Sequence, residues 1–157
     1  MAETEEERAA REAAEARQRE YDSLCSQKSQ NDAEQAEVQS VINDLDDKIT
    51  KMQTAYNNLD AAKEGLKSIR SVIQCWPDFY ESVWKGDVAT AIYDACKKDG
   101  YHEASYTQYI DAIDEIQDAL NLKLTELENE KLRQQGILGE LIAWGNSLWT
   151  RIQNFFN

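Results

Sequence analysis

The stretch DFYESVWKGDVATAIYD, residues 78–94, lies between two long segments that have the apolar spacing of helices. It places Trp84 two positions before Gly86, in a chain with only six glycines. Glycine permits the backbone dihedrals of a sharp turn, and a tryptophan can cover the open end of a helix pair with a large apolar surface. The stretch therefore predicts a tight Trp-x-Gly turn at which the chain reverses direction.

The segment before this stretch has apolar residues at alternating spacings of four and three, as in a coiled-coil helix. They are Val38, Ile42, Leu45, Ile49, Met52, Tyr56 and Leu59, continued after one slip in phase by Ala62, Leu66, Ile69 and Ile73. Charged residues fall on the opposite face: Asp44, Asp47, Lys48, Lys51 and Lys63. We expect one helix from about Tyr21 to Gln74.

Pro77 is the expected end of that helix. Proline lacks an amide hydrogen and disfavours helical backbone at the residue before it, here Trp76. Residues 75–87 are therefore predicted to form a compact turn that holds one short helical piece.

A second apolar stripe follows the turn and predicts a second long helix, ending at about Gln134. Its members are Val88, Ile92, Cys96, Tyr106, Ile110, Ile113, Leu120, Leu124 and Leu127. Gly100 either kinks this helix or interrupts it. Two arms of similar length on either side of a turn predict an all-α fold, a long antiparallel helical hairpin with coiled-coil-like packing.

The two ends differ from the predicted hairpin of residues 21–136. Residues 1–20 are rich in Glu, Ala and Arg and lack an apolar stripe, so we expect a solvated acidic arm, helical or disordered. Residues 137–157 are apolar and carry only two charges, which predicts an extra C-terminal amphipathic helix. Its candidate partner-binding residues are Trp144, Leu148, Trp149, Ile152 and Phe155.

Three interpretations of the C-terminal helix stay open. It folds back as a third helix, docks onto helices of a partner, or lies in a membrane interface, where Trp and Phe are common. The scarcity of Lys and Arg argues against strong binding to anionic lipid.

The charge and composition argue against several classes of protein. A formal net charge of -13 disfavours nucleic acid as a partner. The N-terminus lacks the pattern of a cleavable secretory signal, and no apolar run is long enough to span a membrane, so we expect synthesis in the cytoplasm. Three cysteines do not form a disulfide framework; reduced thiols are favoured over a Cys75–Cys96 bridge.

No constellation for catalysis or metal binding stands out. The sole histidine, His102, lies near Cys96 and Asp99, but on a continuous helix Cys96 and His102 diverge by about 120°. We therefore expect a non-enzymatic protein without a metal or a cofactor. The acidic face of the second helix is either solvated or steers a basic partner.

The segments KITKMQTAYNNLDAAKEGL (48–66) and VWKGDVATAIYD (83–94), with the Trp-containing tail, resemble the YwqH-like branch of the WXG superfamily. The resemblance covers residues 21–157. WXG proteins are helical hairpins of the type VII secretion system of Gram-positive bacteria, and this branch accompanies LXG-domain polymorphic toxins.

The resemblance implies a non-catalytic accessory partner that binds the helical LXG domain of a toxin and supports its export. A second small helical accessory protein is a further candidate partner. The complex would leave the cytoplasm through the type VII system, without a cleavable signal. The alternative is a membrane-interacting or scaffold coiled coil that acts through its C-terminal apolar helix.

The type VII export signal, Tyr-x-x-x-Asp/Glu, follows the second helix in such proteins. Here Tyr56 and Asp60 give this pattern on the first helix, where Tyr56 fits the apolar stripe. We interpret Tyr56 as a packing residue, so the toxin complex is expected to carry the signal elsewhere.

Overall fold

The structure is a computed structural model that describes residues 4–83, 86–88, 90–91, 94 and 101–156. Side chains are described for residues 4–74, 86–88, 90–91, 94 and 104–156. Two long helices account for most of these residues, α1 at Glu5–Val83 and α2 at Tyr101–Gln153. The described residues contain no β-strand, and the predicted all-α class is confirmed.

A capping box begins α1. The Thr4 amide donates to Glu7 Oε2 at 2.9 Å, and the Glu7 amide donates to Thr4 Oγ1 at 3.3 Å. The hydrogen bond from the Thr4 amide lowers the pKa of the Glu7 carboxyl. The predicted acidic arm is therefore helical from Glu5, exposed, and continuous with α1, and Tyr21 is the first half-buried residue.

The chain divides into two compact units, each built from a segment of α1 and a segment of α2. Unit 1 comprises Met1–Asp47 and Glu128–Asn157, and unit 2 comprises Lys48–Leu127. No helix in the described part of the chain has the length and apolar character needed to cross a bilayer.

In unit 1 the two segments run antiparallel. Tyr21 contacts Phe155, whereas Asp46, further along α1, pairs with Lys131 at 2.5 Å. The contact face has seam positions at spacings of three and four on both helices. They are Tyr21, Leu24, Lys28, Asn31, Gln35, Val38, Ile42 and Leu45 on α1, with Lys131, Gln134, Leu138, Leu141, Gly145, Leu148, Ile152 and Phe155 on α2.

In unit 2 the segments are also antiparallel, since Asp60 contacts Gln117 and Arg70 contacts Thr107. The seam positions are Ile49, Met52, Tyr56, Leu59, Lys63, Leu66, Arg70 and Ile73 on α1, with Tyr106, Ile110, Ile113, Gln117, Leu120, Leu124 and Leu127 on α2. Antiparallel pairing in each unit is the arrangement expected of a helical hairpin. Tyr56 is a half-buried seam residue, as its packing interpretation predicted.

The prediction that Pro77 ends the first helix is wrong. α1 continues through Pro77 to Val83, so residues 75–83 are helical rather than part of a compact turn at 75–87. A proline inside a helix costs about 3 kcal/mol. A long helix can contain one because its other interactions outweigh this cost.

The structure also shows no separate C-terminal helix. α2 passes through Gly136 and Gly139 and ends at Gln153, although a helix end had been predicted near Gln134. A glycine costs a helix only about 1 kcal/mol, and the seam against α1 continues on both sides of these two positions. The alternatives for Gly100 lie outside the described residues.

Candidate partner-binding surfaces

The five C-terminal candidate residues fall on two different faces of α2. Leu148, with 1% of its surface exposed, and the half-buried Ile152 and Phe155 pack toward α1 within unit 1. Trp144 and Trp149 point outward, with 43% and 51% of their surfaces exposed. The tryptophans are therefore accessible to a second molecule, whereas Leu148 already contributes to the core of unit 1.

A polar contact holds the C-terminal part of α2 against α1. Asn31 is completely buried, and its Nδ2 donates to the Leu141 carbonyl at 2.9 Å. Gln35 Nε2 donates to Asn31 Oδ1 at 2.6 Å and lies 3.4 Å from the same carbonyl. A helix carbonyl has a second lone pair that can accept such a bond.

Gly145 makes room for that contact. A β-carbon at position 145 would overlap Asn31 Oδ1 and would lie 2.9 Å from Gln35 Nε2. The apolar pattern did not identify Asn31, Gln35 or Gly145, because these residues have polar side chains or none and interrupt it. Their common signal is the continued spacing of three and four from Leu24 and from Leu148.

An aromatic cluster closes the end of unit 1. The ring of Tyr21 lies 5.7 Å from that of Phe155 and 5.1 Å from that of Phe156, and the two phenylalanine rings are 5.1 Å apart. All three pairs are tilted or edge-on, the geometries that aromatic quadrupoles favour. The hydrogen bond with the free thiol of Cys25 raises the pKa of Tyr21.

One flank of the C-terminal segment is apolar and exposed. Ile142, Trp149 and Phe156 recur every seven residues and therefore share one side of α2. Trp144 lies on the opposite flank of the seam. This arrangement offers a partner two narrow aromatic surfaces rather than one broad face.

The predicted turn motif is described only in part. Trp84 lies outside the described residues. Gly86 has a φ of 136°, a conformation that side chains other than glycine rarely adopt. Its carbonyl accepts the Thr90 amide at 3.0 Å and the Thr90 hydroxyl at 3.2 Å.

Unit 2 carries a polar network in its seam. Lys63 forms an ion pair with Asp114, and Gln117 Nε2 donates to Asp60 Oδ1 at 3.4 Å. The Lys63 side chain is only 17% exposed, and its hydrogen bond to Asp114 raises the pKa of its ammonium group.

This network corrects two sequence predictions about α1. Lys63 had been assigned to the outer face, but it occupies a seam position, as does Arg70. Ala62 and Ile69 had been assigned to the apolar stripe after a slip in phase, yet both are exposed. The spacing of three and four continues without a slip in phase, and two of its seam positions are occupied by the cationic residues Lys63 and Arg70.

The described residues hold no group of three His, Cys, Asp or Glu side chains arranged to bind a metal ion. The Cys96 and His102 side chains lie outside the described set. A shallow depression in unit 2 is lined by Gln53, Tyr56, Asn57, Asn121 and Leu124.

Two long helices, paired antiparallel through heptad seams that contain polar residues, define a coiled-coil helical hairpin. A family model described as YwqH-like matches residues 26–140. The chain belongs to the YwqH-like family. Searches of curated proteins and of solved structures found no match. Gly86 lies within the matched span, whereas Trp144, Leu148, Trp149, Ile152 and Phe155 lie beyond it.

Proposed function

We propose that this protein is a non-catalytic accessory partner that binds the helical LXG domain of a type VII-secreted toxin and supports its export. Family membership and the resemblance to WXG hairpins support the proposal. The observation that carries it is the exposure of large apolar side chains along paired helices, among them Trp149, Tyr109 and Leu132. Apolar surface of this kind is typical of helices that bind other helices.

The mode of action follows from the packing. A seam with several polar positions limits the apolar area that the hairpin buries by itself. Additional helices from the toxin, or from a second small helical accessory protein, would cover the exposed side chains and complete a bundle. The complex would assemble in the cytoplasm and leave through the type VII system, with the export signal on another chain.

The test is co-expression of the tagged chain with an LXG-domain protein encoded beside its gene, followed by size-exclusion chromatography. We expect a stable complex of defined stoichiometry. A Trp84→Ala/Gly86→Ala variant tests whether the turn contributes, and its helix content is checked by circular dichroism. Elution of the wild-type chain without the LXG protein would overturn the proposal.

A membrane-interacting or scaffold role is the alternative, favoured by one observation. The exposed flank of Ile142, Trp149 and Phe156 is apolar, as in helices that lie in a membrane interface. Flotation with phosphatidylcholine and phosphatidylglycerol vesicles, compared between wild type and Trp149→Ser, distinguishes the two functions. Binding that requires Trp149, or a stable homo-oligomer without any second protein, would favour the alternative.

A further inference from the structure

The seam of unit 2 changes in character along its length. In the half that begins at Ile49, which we call the proximal segment, all seam positions are apolar: Ile49, Met52, Tyr56 and Leu59 on α1, with Leu120, Leu124 and Leu127 on α2. The other half, the distal segment, has Lys63, Leu66, Arg70 and Ile73 on α1, with Tyr106, Ile110, Ile113 and Gln117 on α2. Three of these eight seam residues, Lys63, Arg70 and Gln117, are polar.

A second stripe lies beside the seam of the distal segment, and all of it is apolar. It keeps four of the seam residues and replaces each of the others by the residue directly before it in the chain. The spacing of three and four is thereby conserved on both helices. We call this stripe the shifted seam; it consists of Ala62, Leu66, Ile69 and Ile73 on α1, with Tyr106, Tyr109, Ile113 and Ile116 on α2.

The present packing of the distal segment leaves hydrocarbon in water and polar groups in the seam. Three residues of the shifted seam are largely in water, with exposed fractions of 46% for Ile69, 62% for Tyr109 and 49% for Ile116. Gln117, in contrast, is only 5% exposed. Apolar surface gains free energy by burial, and buried polar groups lose hydration that their partners must replace, so both effects favour the shifted seam. The ion pair of Lys63 with Asp114 and the burial of Ile110 favour the present one.

A counter-rotation of the two helices converts one seam into the other. Successive residues of an α-helix are about 100° apart around its axis, so a shift of every second seam position by one residue requires a turn of about 50°. The replacing residues precede seam positions on both helices, and in an antiparallel pair such flanks share one edge. The helices therefore rotate in opposite senses, and neither needs to move along its axis.

The proximal segment confines the rotation to one half of unit 2. There, a shift of one residue would replace Ile49 by Lys48 on α1. On α2 it would replace Leu124 by Lys123. Burying two ammonium groups in place of aliphatic side chains is unfavourable, so the proximal segment keeps its present seam. At Leu59 two spacings of three would then follow each other on α1, a change that locally overwinds a coiled coil.

We infer that the distal segment is a two-state element, whose helices counter-rotate between the present seam and the shifted seam. In the shifted state Lys63, Arg70 and Gln117 are hydrated, and the apolar side chains that precede them are buried between the helices. A partner helix that covers Ile69 and Tyr109 would bind only the present state and would stabilise it. For that consequence the inference rests on the proposed function, whereas the rotation itself is a property of the chain alone.

Oxidation of paired cysteines measures the two seams in the full chain, without any partner. The native cysteines at positions 25, 75 and 96 are first replaced by serine. In the register of unit 2, position 66 lies opposite position 110 in the present seam and opposite position 109 in the shifted seam. The reporters are therefore Leu66→Cys/Ile110→Cys and Leu66→Cys/Tyr109→Cys, and the rate at which each disulfide forms reports the population of one seam.

The proximal segment supplies the matched control. Met52→Cys/Leu124→Cys and Met52→Cys/Lys123→Cys have the same relative positions as the two reporters, but only the first pair belongs to a seam there. A third measurement repeats the distal reporters with Lys63→Leu and Arg70→Leu, which remove two polar residues from the present seam and should hold the helices in it. Circular dichroism checks that every variant keeps its helix content.

The result is a ratio of rates in each segment, that of the shifted pair to that of the seam pair. We expect the distal ratio to be at least about tenfold higher than the proximal ratio, because only the distal segment populates the shifted seam. Lys63→Leu/Arg70→Leu should lower the distal ratio to the proximal value. Equal ratios in the two segments, or a distal ratio that these substitutions leave unchanged, would overturn the inference and leave the proposed function intact.

If the cysteine variants lose helix content, methyl NMR of the chain with its natural cysteines decides. Ile69 and Ile116 change from exposed to buried in the rotation, so their δ1-methyl groups should show conformational exchange by relaxation dispersion. Ile49 is the control, because it stays in the seam in both states. Exchange at Ile69 and Ile116 but not at Ile49, abolished by Lys63→Leu/Arg70→Leu, supports the two-state element. Any other result overturns it.

Discussion

The Asn31 side chain occupies the space that a β-carbon on residue 145 would need, so packing within unit 1 excludes a side chain at Gly145. Asn31 uses this space to donate to the Leu141 carbonyl. A buried polar residue at a coiled-coil seam fixes register, because any shift leaves it without its partner. The contact therefore aligns the C-terminal part of α2 with α1.

We predict opposite effects for alanine at two glycines of α2. Gly145→Ala should destabilise the protein by about 1–3 kcal/mol, because the new methyl group displaces Asn31. Gly139→Ala should stabilise it by up to about 1 kcal/mol, since nothing lies within 4 Å of that position. Urea unfolding followed by circular dichroism measures both, and equal shifts would contradict the close approach.

The cost of Gly145→Ala should depend on Asn31. In the background of Asn31→Ala the oxygen that would clash is gone, so the second substitution should cost much less than it does in wild type. The double-mutant cycle should give a coupling of about 1 kcal/mol or more between the two positions. Additive effects would show that the two residues do not meet.

Alanine substitutions at the neighbouring residues 148 and 149 should differ in their effect on stability. Leu148→Ala removes a core side chain and should cost about 2–5 kcal/mol. Trp149→Ala removes a side chain that is 51% exposed and should change stability far less. Thermal unfolding of the two variants is the measurement. A larger loss of stability for Trp149→Ala than for Leu148→Ala would contradict the assignment of Leu148 to the seam of α2.

Lys63→Leu should raise the urea midpoint, because it replaces a largely buried cation at a seam position with an apolar side chain. The Asp114 carboxylate that remains is 48% exposed, so it stays hydrated and is not left as a buried unpaired charge. Lys67→Leu is the control, since Lys67 pairs with Glu64 outside the seam and should have little effect. A greater loss of stability in Lys63→Leu than in Lys67→Leu would show that the ion pair with Asp114 outweighs apolar packing.

The same ion pair predicts a pH dependence. The pKa of Lys63 is raised above its ordinary value of 10.5, so its contribution to stability is complete below pH 10.5 and is lost as the pH rises through the folded-state pKa. The advantage of Lys63→Leu over wild type should therefore grow above pH 10.5. A constant difference across that range would contradict the assignment.

Glu130 should titrate at unusually low pH. Two hydrogen bonds from Arg133, at 2.8 and 2.6 Å, lower the pKa of Glu130 to about 2. Because the folded-state pKa is depressed, the contribution of this pair is present above pH 4.5 and is lost as the pH falls towards 2. Carboxyl NMR titration should show that Arg133→Gln raises the pKa of Glu130 towards its ordinary value, while the hydrogen bond from Gln134 still lowers it. No change in the variant would contradict the pair.

Apolar periodicity was enough to predict the all-α class and much of the seam, because Ile42, Leu45, Ile49 and Ile110 are buried where their spacing placed them. It failed where polar residues occupy seam positions. Lys63 and Asn31 lie in the seam because a partner across it satisfies each of them, and that partner cannot be identified from local sequence.

The helix ends were predicted less well for a related reason. Pro77, Gly136 and Gly139 are local signals of helix termination, but α1 and α2 continue through them because local penalties of a few kcal/mol are outweighed elsewhere in a long helix. Leu148 is buried and Trp149 is exposed because of the side of α2 that faces α1. That side is known only from the packing of the two helices in the structure.

The most direct test of the hairpin in unit 1 is a nuclear Overhauser effect between the side-chain amide protons of Gln35 and the α-protons of Gly145. The structure predicts this effect, because Gln35 Nε2 lies 2.9 Å from the point that a β-carbon on residue 145 would occupy. Absence of this effect, together with contacts from Gly145 to a different heptad of α1, would contradict the register on which the assignment of its buried and exposed faces rests.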